Sequence, residues 1–345
     1  MSPPLRAMVL AAGLGTRLGP LSDERPKPLL PVADYPLIRY NLALLAAHGF
    51  REVAINLHHR GELIVAELDG ATSPLQIHWS TEEQILGTGG GLKRIGDFLT
   101  RGGSDPFVVV NGKLVIDVDL GALIAHHRAM EAEATMVVRE VPDPERWGAV
   151  DVDAKGRVRR LLGEGLPGTA AHRTMFTGVH VVGPELLGRL PEGPSCVIRQ
   201  GYLPALRDGA RVGALLYGGY FQEHSNAERY LAGNIAVLDG EARLRHPPGR
   251  LDGVDPTAAV DPHAVLVPPY RVGPGATVES GAVIGPYAVV GRRALVLARS
   301  HLARTVVWPD AVASGRLDRA IVTPRGVLHL DSDGGAPRFE PRKKP

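Results

Sequence analysis

Hydrophobic and polar positions along the first 135 residues switch repeatedly between two periods. AMVLAA (7–12), EVAINL (52–57), LQIHW (75–79), PFVVVN (106–111) and ATMVVRE (134–140) are short apolar runs of strand character. Between them, LIRYNLALLAAHG (37–49), ELIVAEL (62–68), GGGLKRIGDFL (89–99) and LGALIAHHRAM (120–130) carry helical spacing. Gly49 stops the first of these helices, and Asp119 is placed to cap the last. The alternation predicts a Rossmann-like, three-layer α/β domain with a parallel sheet and helices on both faces. From 147 to 217 the pattern turns strand-rich, with WGAVDVD and GRVRRLL forming a hairpin laid against the sheet. A helix at 226–240 closes this first domain, expected to span 1–240.

Residues 241–262 are rich in proline, glycine and charge and are expected to be a linker. A six-residue period follows over 272–313. Its first place holds Val272, Val278, Ile284, Val290, Val296, Leu302 and Trp308, and its fifth is small or β-branched throughout. Six residues make one flat face and three faces close a coil, so the repeat predicts a short left-handed parallel β-helix over 263–330. The tail, 331–345, is expected to be disordered.

Bulk composition narrows the partners. The chain has 345 residues, 39 basic and 37 acidic, and a net charge of +2, which supplies no electrostatic drive toward nucleic acid or an anionic membrane. The one cysteine, Cys196, excludes an internal disulfide framework and is read as a small apolar core residue in a cytoplasmic protein. No stretch approaches the roughly 20 apolar residues of a membrane helix.

The stretch LAAGLGTRL (10–18), followed by PKPLLPV (26–32), carries the most chemistry. Glycines at 13 and 15 let backbone N–H groups approach phosphates closely, Arg17 offers a planar fork, and Lys27 adds a mobile positive charge. A bare Gly-x-Gly turn also serves ordinary tight turns; the combination with Arg17 and Pro26-Lys27-Pro28 makes this one specific.

With these residues the chain resembles the sugar-1-phosphate nucleotidyltransferases, the pyrophosphorylases that make nucleoside-diphosphate sugars. The likeness extends through EVAINLHH (52–59), ILGTGGGLK (85–93), VVNG (109–112), FTGVHVV (176–182) and AERYLAGN (227–234). The C-terminal hexads are most similar to those of enzymes like mannose-1-phosphate guanylyltransferase. The resemblance implies a nucleoside triphosphate and a sugar 1-phosphate as substrates, with GTP and mannose 1-phosphate as the first expectation. It implies that Ala11, Ala12, Gly13, Gly15, Thr16 and Arg17 hold the triphosphate and Lys27 the transferring phosphoryl group. It also implies that Glu83, Gly87, Thr88 and Gly89 lie beside the base and ribose, and that Asn111, Gly112, Gly148, Glu164 and Thr177 bind the sugar phosphate. Separately from the resemblance, a short β-helix exposes coil ends, which makes it the expected place for chains to associate.

The family strand that ends in Asn-Gly-Asp supplies a Mg²⁺ ligand; here that place is Lys113. Glu223 stands where a second metal-binding Asp is expected, and Glu164-Gly165-Leu166 lacks a lysine common in the family. A protonated lysine has no lone pair for magnesium and repels it, by roughly 4 kcal/mol per unit charge at about 4 Å and an effective dielectric near 20. Asp117 is four residues of extended loop away, more than about 10 Å. Three readings stand open: Lys113 replaces the metal's charge and acts with Arg17 and Lys27 in catalysis; the metal binds through Glu223 and the nucleotide; or turnover is lost while a nucleotide pocket persists in a regulator.

Other features have plainer readings. His58 and His59 point to opposite faces of a strand and cannot share one ion, and His126 and His127 read as helix-surface residues. His301 invites comparison with hexapeptide acyltransferases, but one histidine does not carry that reading. Arg292, Arg293, Arg299 and Arg304 read as a solvated face.

Overall fold

The computed structural model describes residues 5–70, 74–103, 105–331 and 335–342. The chain divides into two compact units, one of residues 1–13 and 41–221 and the other of residues 14–40 and 222–345.

The first unit is built on a ten-stranded sheet. Its strands are β1 (Ala7–Leu10), β2 (Glu52–Leu57), β3 (Gln76–Thr81), β4 (Phe107–Asn111), β5 (Ala134–Glu140), β6 (Ala149–Val152), β7 (Val158–Leu161), β8 (Glu164–Gly165), β9 (His172–Val182) and β10 (Val212–Leu216). Strand β1 lies between β2 and β4, parallel to both, and β3 continues the parallel run beyond β2. The valine-rich segments do this because burial on both faces favours unbroken apolar runs over alternation, and Ala7, Met8, Val9 and Val108–Val110 are wholly buried.

The sheet is mixed rather than parallel as expected. The eleven-residue β9 runs antiparallel to β4, β5 and β6, and the β6–β7 hairpin and β8 extend the antiparallel side. Two helical segments, Pro184–Arg189 and Val197–Arg207, interrupt the region read as strand-rich; Leu186, Leu187, Leu203 and Leu206 turn inward from them. Helix Leu120–Ala129 is capped as expected, with Asp119 Oδ1 accepting from Ala122 N at 2.9 Å.

In the second unit short parallel strands stack as coils of a parallel β-helix. Gly253–Val254 pairs with Tyr270–Val272, which pairs with Ala288–Val290, an eighteen-residue step. The coil thus begins at Gly253, inside the expected linker. All seven leading residues of the hexads are buried. The register then shortens: Val290 pairs with Val307 and Val296 with Ala313, a seventeen-residue step in which Val307, rather than Trp308, continues the row of Val290, and Leu302 pairs with Leu317, a fifteen-residue step. Corner residues take left-handed backbone, including Gly275, Arg293 and Asp310 at successive levels. Within the expected disordered tail, Arg338–Pro341 is instead a strand, held by an antiparallel ladder to Gly326–His329; residues 332–334 and 343–345 lie outside the described residues.

Helix Ala227–Leu238 packs on the strands His301–Val307 and Arg316–Thr323. Tyr230 ties this cluster together: its hydroxyl donates to Pro31 O at 2.6 Å and accepts from Trp308 Nε1 at 3.1 Å.

Candidate functional site

In the first unit the chain leaves β1 toward β2 on one side, while β4 flanks β1 on the other. Ligands of open α/β sheets sit outside the carboxyl ends of strands where the order reverses in this way. Leu10 is paired with Asn111 there, and Gly112 N donates to Leu10 O at 2.9 Å, so the segments Ala11-Ala12-Gly13 and Asn111-Gly112-Lys113 begin side by side. Gly112 must be glycine, because a Cβ would stand 2.8 Å from Leu10 O. Asn111 packs its amide against Gly178, at a β-bulge of β9 where φ is +90° and any side chain would collide. Lys113 is half-buried.

A buried polar chain holds this rim. Asn56, at the end of β2, accepts from Ala11 N at 2.7 Å and donates to Glu82 Oε1 at 2.7 Å; Glu82 Oε2 accepts from Leu86 N at 2.9 Å. Neither Asn56 nor Glu82 was singled out from the sequence. Buried polar atoms at three-way contacts have no periodic signature, and of the pair Glu82-Glu83 the resemblance points to Glu83. The structure buries Glu82 and exposes Glu83.

The glycines at 87 and 89 have a structural duty. Cβ atoms there would meet Ser195 at 2.6 Å in each case, Gly89 N donates to Ser195 O at 2.9 Å, and Thr88 Oγ1 accepts from Val197 N at 3.0 Å. The Gly-Thr-Gly turn is therefore clamped by residues 195–197, with Gly87 still exposed.

Of the expected sugar-phosphate residues, Thr177 is buried within the sheet, its hydroxyl donating to Val137 O at 2.9 Å. Gly148 has φ +85° beneath Leu162. Glu164 is exposed on β8 and paired with Arg207. Two plain readings also change. His127 is buried, not on the surface, because it shares a helix face with Leu123; its Nδ1 bonds Thr135 Oγ1 at 3.0 Å. Cys196 is half-buried, with its backbone N–H bound by Gln200.

In the second unit Gly15 takes the left-handed conformation, φ +72°, opening the short helix Thr16–Leu18. Thr16 and Arg17 are exposed, and the stem of Lys27 lies alongside: a Cβ on Gly15 would be 3.7 Å from Lys27 Cε. The left-handed turn and the stem of Lys27 are thus side by side, with Arg17 two residues along. Glu223, the other expected metal residue, has its Oε1 accepting from Arg229 at 3.0 Å. Lys113 offers no lone pair. Among the described residues no group of three or more His, Cys, Asp or Glu side chains is placed to hold a metal ion. No described helix is long and apolar enough to cross a membrane.

The segment containing both rims of the sheet, 6–164, matches the model of the Nucleotidyl transferase family. Residues 6–164 belong to that family. The chain is 32% identical over 241 residues to a mannose-1-phosphate guanylyltransferase of Mycobacterium tuberculosis, and 30% identical over 241 residues to a probable mannose-1-phosphate guanylyltransferase of Arabidopsis thaliana. Each alignment covers 68% of this chain and 65% of the relative. A UTP–glucose-1-phosphate uridylyltransferase of Synechocystis is 32% identical over 216 residues, 59% of this chain and 55% of that protein. The aligned region thus spans 55–65% of these relatives' length.

Proposed function

We propose that this nucleotidyl transferase joins a nucleoside triphosphate to a sugar 1-phosphate, giving a nucleoside-diphosphate sugar and pyrophosphate. The observation that carries the reading is the pairing of Leu10 with Asn111 at a switch point, which sets Ala11–Gly13 beside Asn111–Lys113 at the carboxyl ends of adjacent parallel strands. In-line attack by the sugar phosphate on the α-phosphorus needs no protein nucleophile; it needs positioning and positive charge. Arg17 and Lys27 supply that charge to the triphosphate, and Lys113 supplies charge where the resemblance leads one to expect a carboxylate. A protonated Lys113 has no lone pair for a divalent cation, so no step is assigned to magnesium.

GTP and mannose 1-phosphate are the substrates this reading favours, on the strength of the two guanylyltransferase relatives. The test is a panel of triphosphates against sugar 1-phosphates, scored by pyrophosphate release with and without Mg²⁺. Turnover with one pair at least about tenfold above the others supports it. A second reading, a nucleotide-binding homologue without turnover, is favoured by Lys113 and by the engagement of Glu223 with Arg229. Nucleotide binding with no pyrophosphate from any pair would establish that reading instead.

A further inference from the structure

The second unit contains a cavity of about 540 Å³, well inside the range of small-molecule sites, whose walls include Arg39, Arg292 and Arg293. Tyr35, Pro248 and Pro274 form its less polar side. Three arginines and one carboxylate, Asp34, thus line a single cavity. That carboxylate is already committed: buried to 3% exposure, it accepts Arg292 N at 2.7 Å through Oδ1. Asp34 therefore fixes the turn carrying Arg292, and Arg292 Nη2 returns to Asp34 O at 3.4 Å. Asp310 holds Arg293 from the next coil, at 2.7 and 2.8 Å. Arg271, 1% exposed and acting on Asp34, also pairs with Asp255 at 3.4 Å, and its Nε has no partner among the described residues. Burial holds the Asp34 carboxyl up at about 6, so near that pH it neutralises still less of this charge.

We propose that this cavity is an anion site that takes the phosphoryl group of a small phosphorylated metabolite. Arg39 and Arg292 are its ligands, Arg293 is a secondary contact oriented by Asp310, and the body of the metabolite lies against Tyr35 and Pro274. Guanidinium forks match phosphoryl oxygens bidentately. Such a site is separate from the phosphate-handling turn at Gly15–Arg17 and gives the chain a place to sense phosphorylated compounds independently of turnover.

Hydrogen–deuterium exchange on the full chain tests this with two probes, inorganic phosphate and GMP. The expected result is saturable protection of peptides spanning 33–40 and 290–294, persisting in Lys27→Ala and weakened about tenfold or more in Arg39→Gln or Arg292→Gln, the scale of one charge-assisted contact. Protection by GMP at lower concentration than by phosphate assigns a role to the wall of Tyr35 and Pro274; equal protection restricts the site to the phosphoryl group. Protection confined to peptides around 13–17 and 26–28 in the wild type, or unaltered in both arginine variants, overturns the proposal. The wild-type map decides the matter even if a variant fails to fold.

Discussion

Asn56 donates to Glu82 across 2.7 Å in the interior of the first unit, and the same amide accepts the N–H of Ala11. One side chain thereby joins the end of β1 to the loop after β3. Asn56→Ala would strand a buried N–H and a buried carboxylate oxygen together. The expected loss is about 2–4 kcal/mol, since each orphaned buried group costs roughly 1–3 kcal/mol. Urea denaturation measures it, and an unchanged midpoint with an unchanged slope would show that the rim does not depend on this chain of bonds.

Arg17→Ala and Lys27→Ala should each weaken nucleotide handling by more than about tenfold, as expected for a charge-assisted contact worth roughly 1.5–3 kcal/mol. Both lie by Gly15, half-buried or exposed, so folding should be little affected. Wild-type nucleotide affinity and turnover in both proteins would remove the phosphate-cradle role.

Lys113 separates the two functional readings. If its ammonium supplies charge to the reaction, Lys113→Ala abolishes pyrophosphate release and Lys113→Asp creates or raises a magnesium-dependent rate. If the chain is a binder without turnover, Lys113→Ala changes nothing and the wild type releases no pyrophosphate. Ordinary magnesium-dependent turnover that is indifferent to Lys113→Ala would defeat both.

Acid should destabilise the fold in a defined window. Burial lowers His127 to about 4 and His180 to about 3, so the unfolded chain takes up two protons as pH falls below about 6.5. The stability these histidines contribute is present above that pH and lost on acidification. Asp34 runs the other way. Raised to about 6 by burial, with Arg292 and Arg271 opposing, it is protonated in the folded state first; its contribution is full below 3.8 and lost as pH rises through 6. Two protons against one leave a net loss of about 1.4 kcal/mol per pH unit between about pH 6 and 4. Asp34→Asn, which keeps an acceptor for Arg292 N, should steepen the slope, and His180→Asn should flatten it. Urea midpoints that stay level from pH 7 to 5 would contradict both assignments.

The sequence by itself determined the elements whose signals are local and periodic. Val108 to Val110 announce a doubly buried strand, Asp119 its helix cap, and Val272 to Leu302 the coils, because side-chain direction follows directly from backbone repeat. It also marked Gly13, Gly15 and Lys113 as unusual places in an otherwise regular pattern. Tertiary structure alone decided whatever depends on two distant segments meeting. Only the fold shows that β9 runs antiparallel into the sheet, that Thr177 spends its hydroxyl on Val137, and that Gly87 and Gly89 make room for Ser195. Only the fold buries Glu82 and exposes Glu83, or closes Asp34 onto Arg292 across 258 residues. Hydrogen bonds and cavities are set by distance in space. A chain written in one dimension records the donors and acceptors but leaves their partners to be chosen by packing.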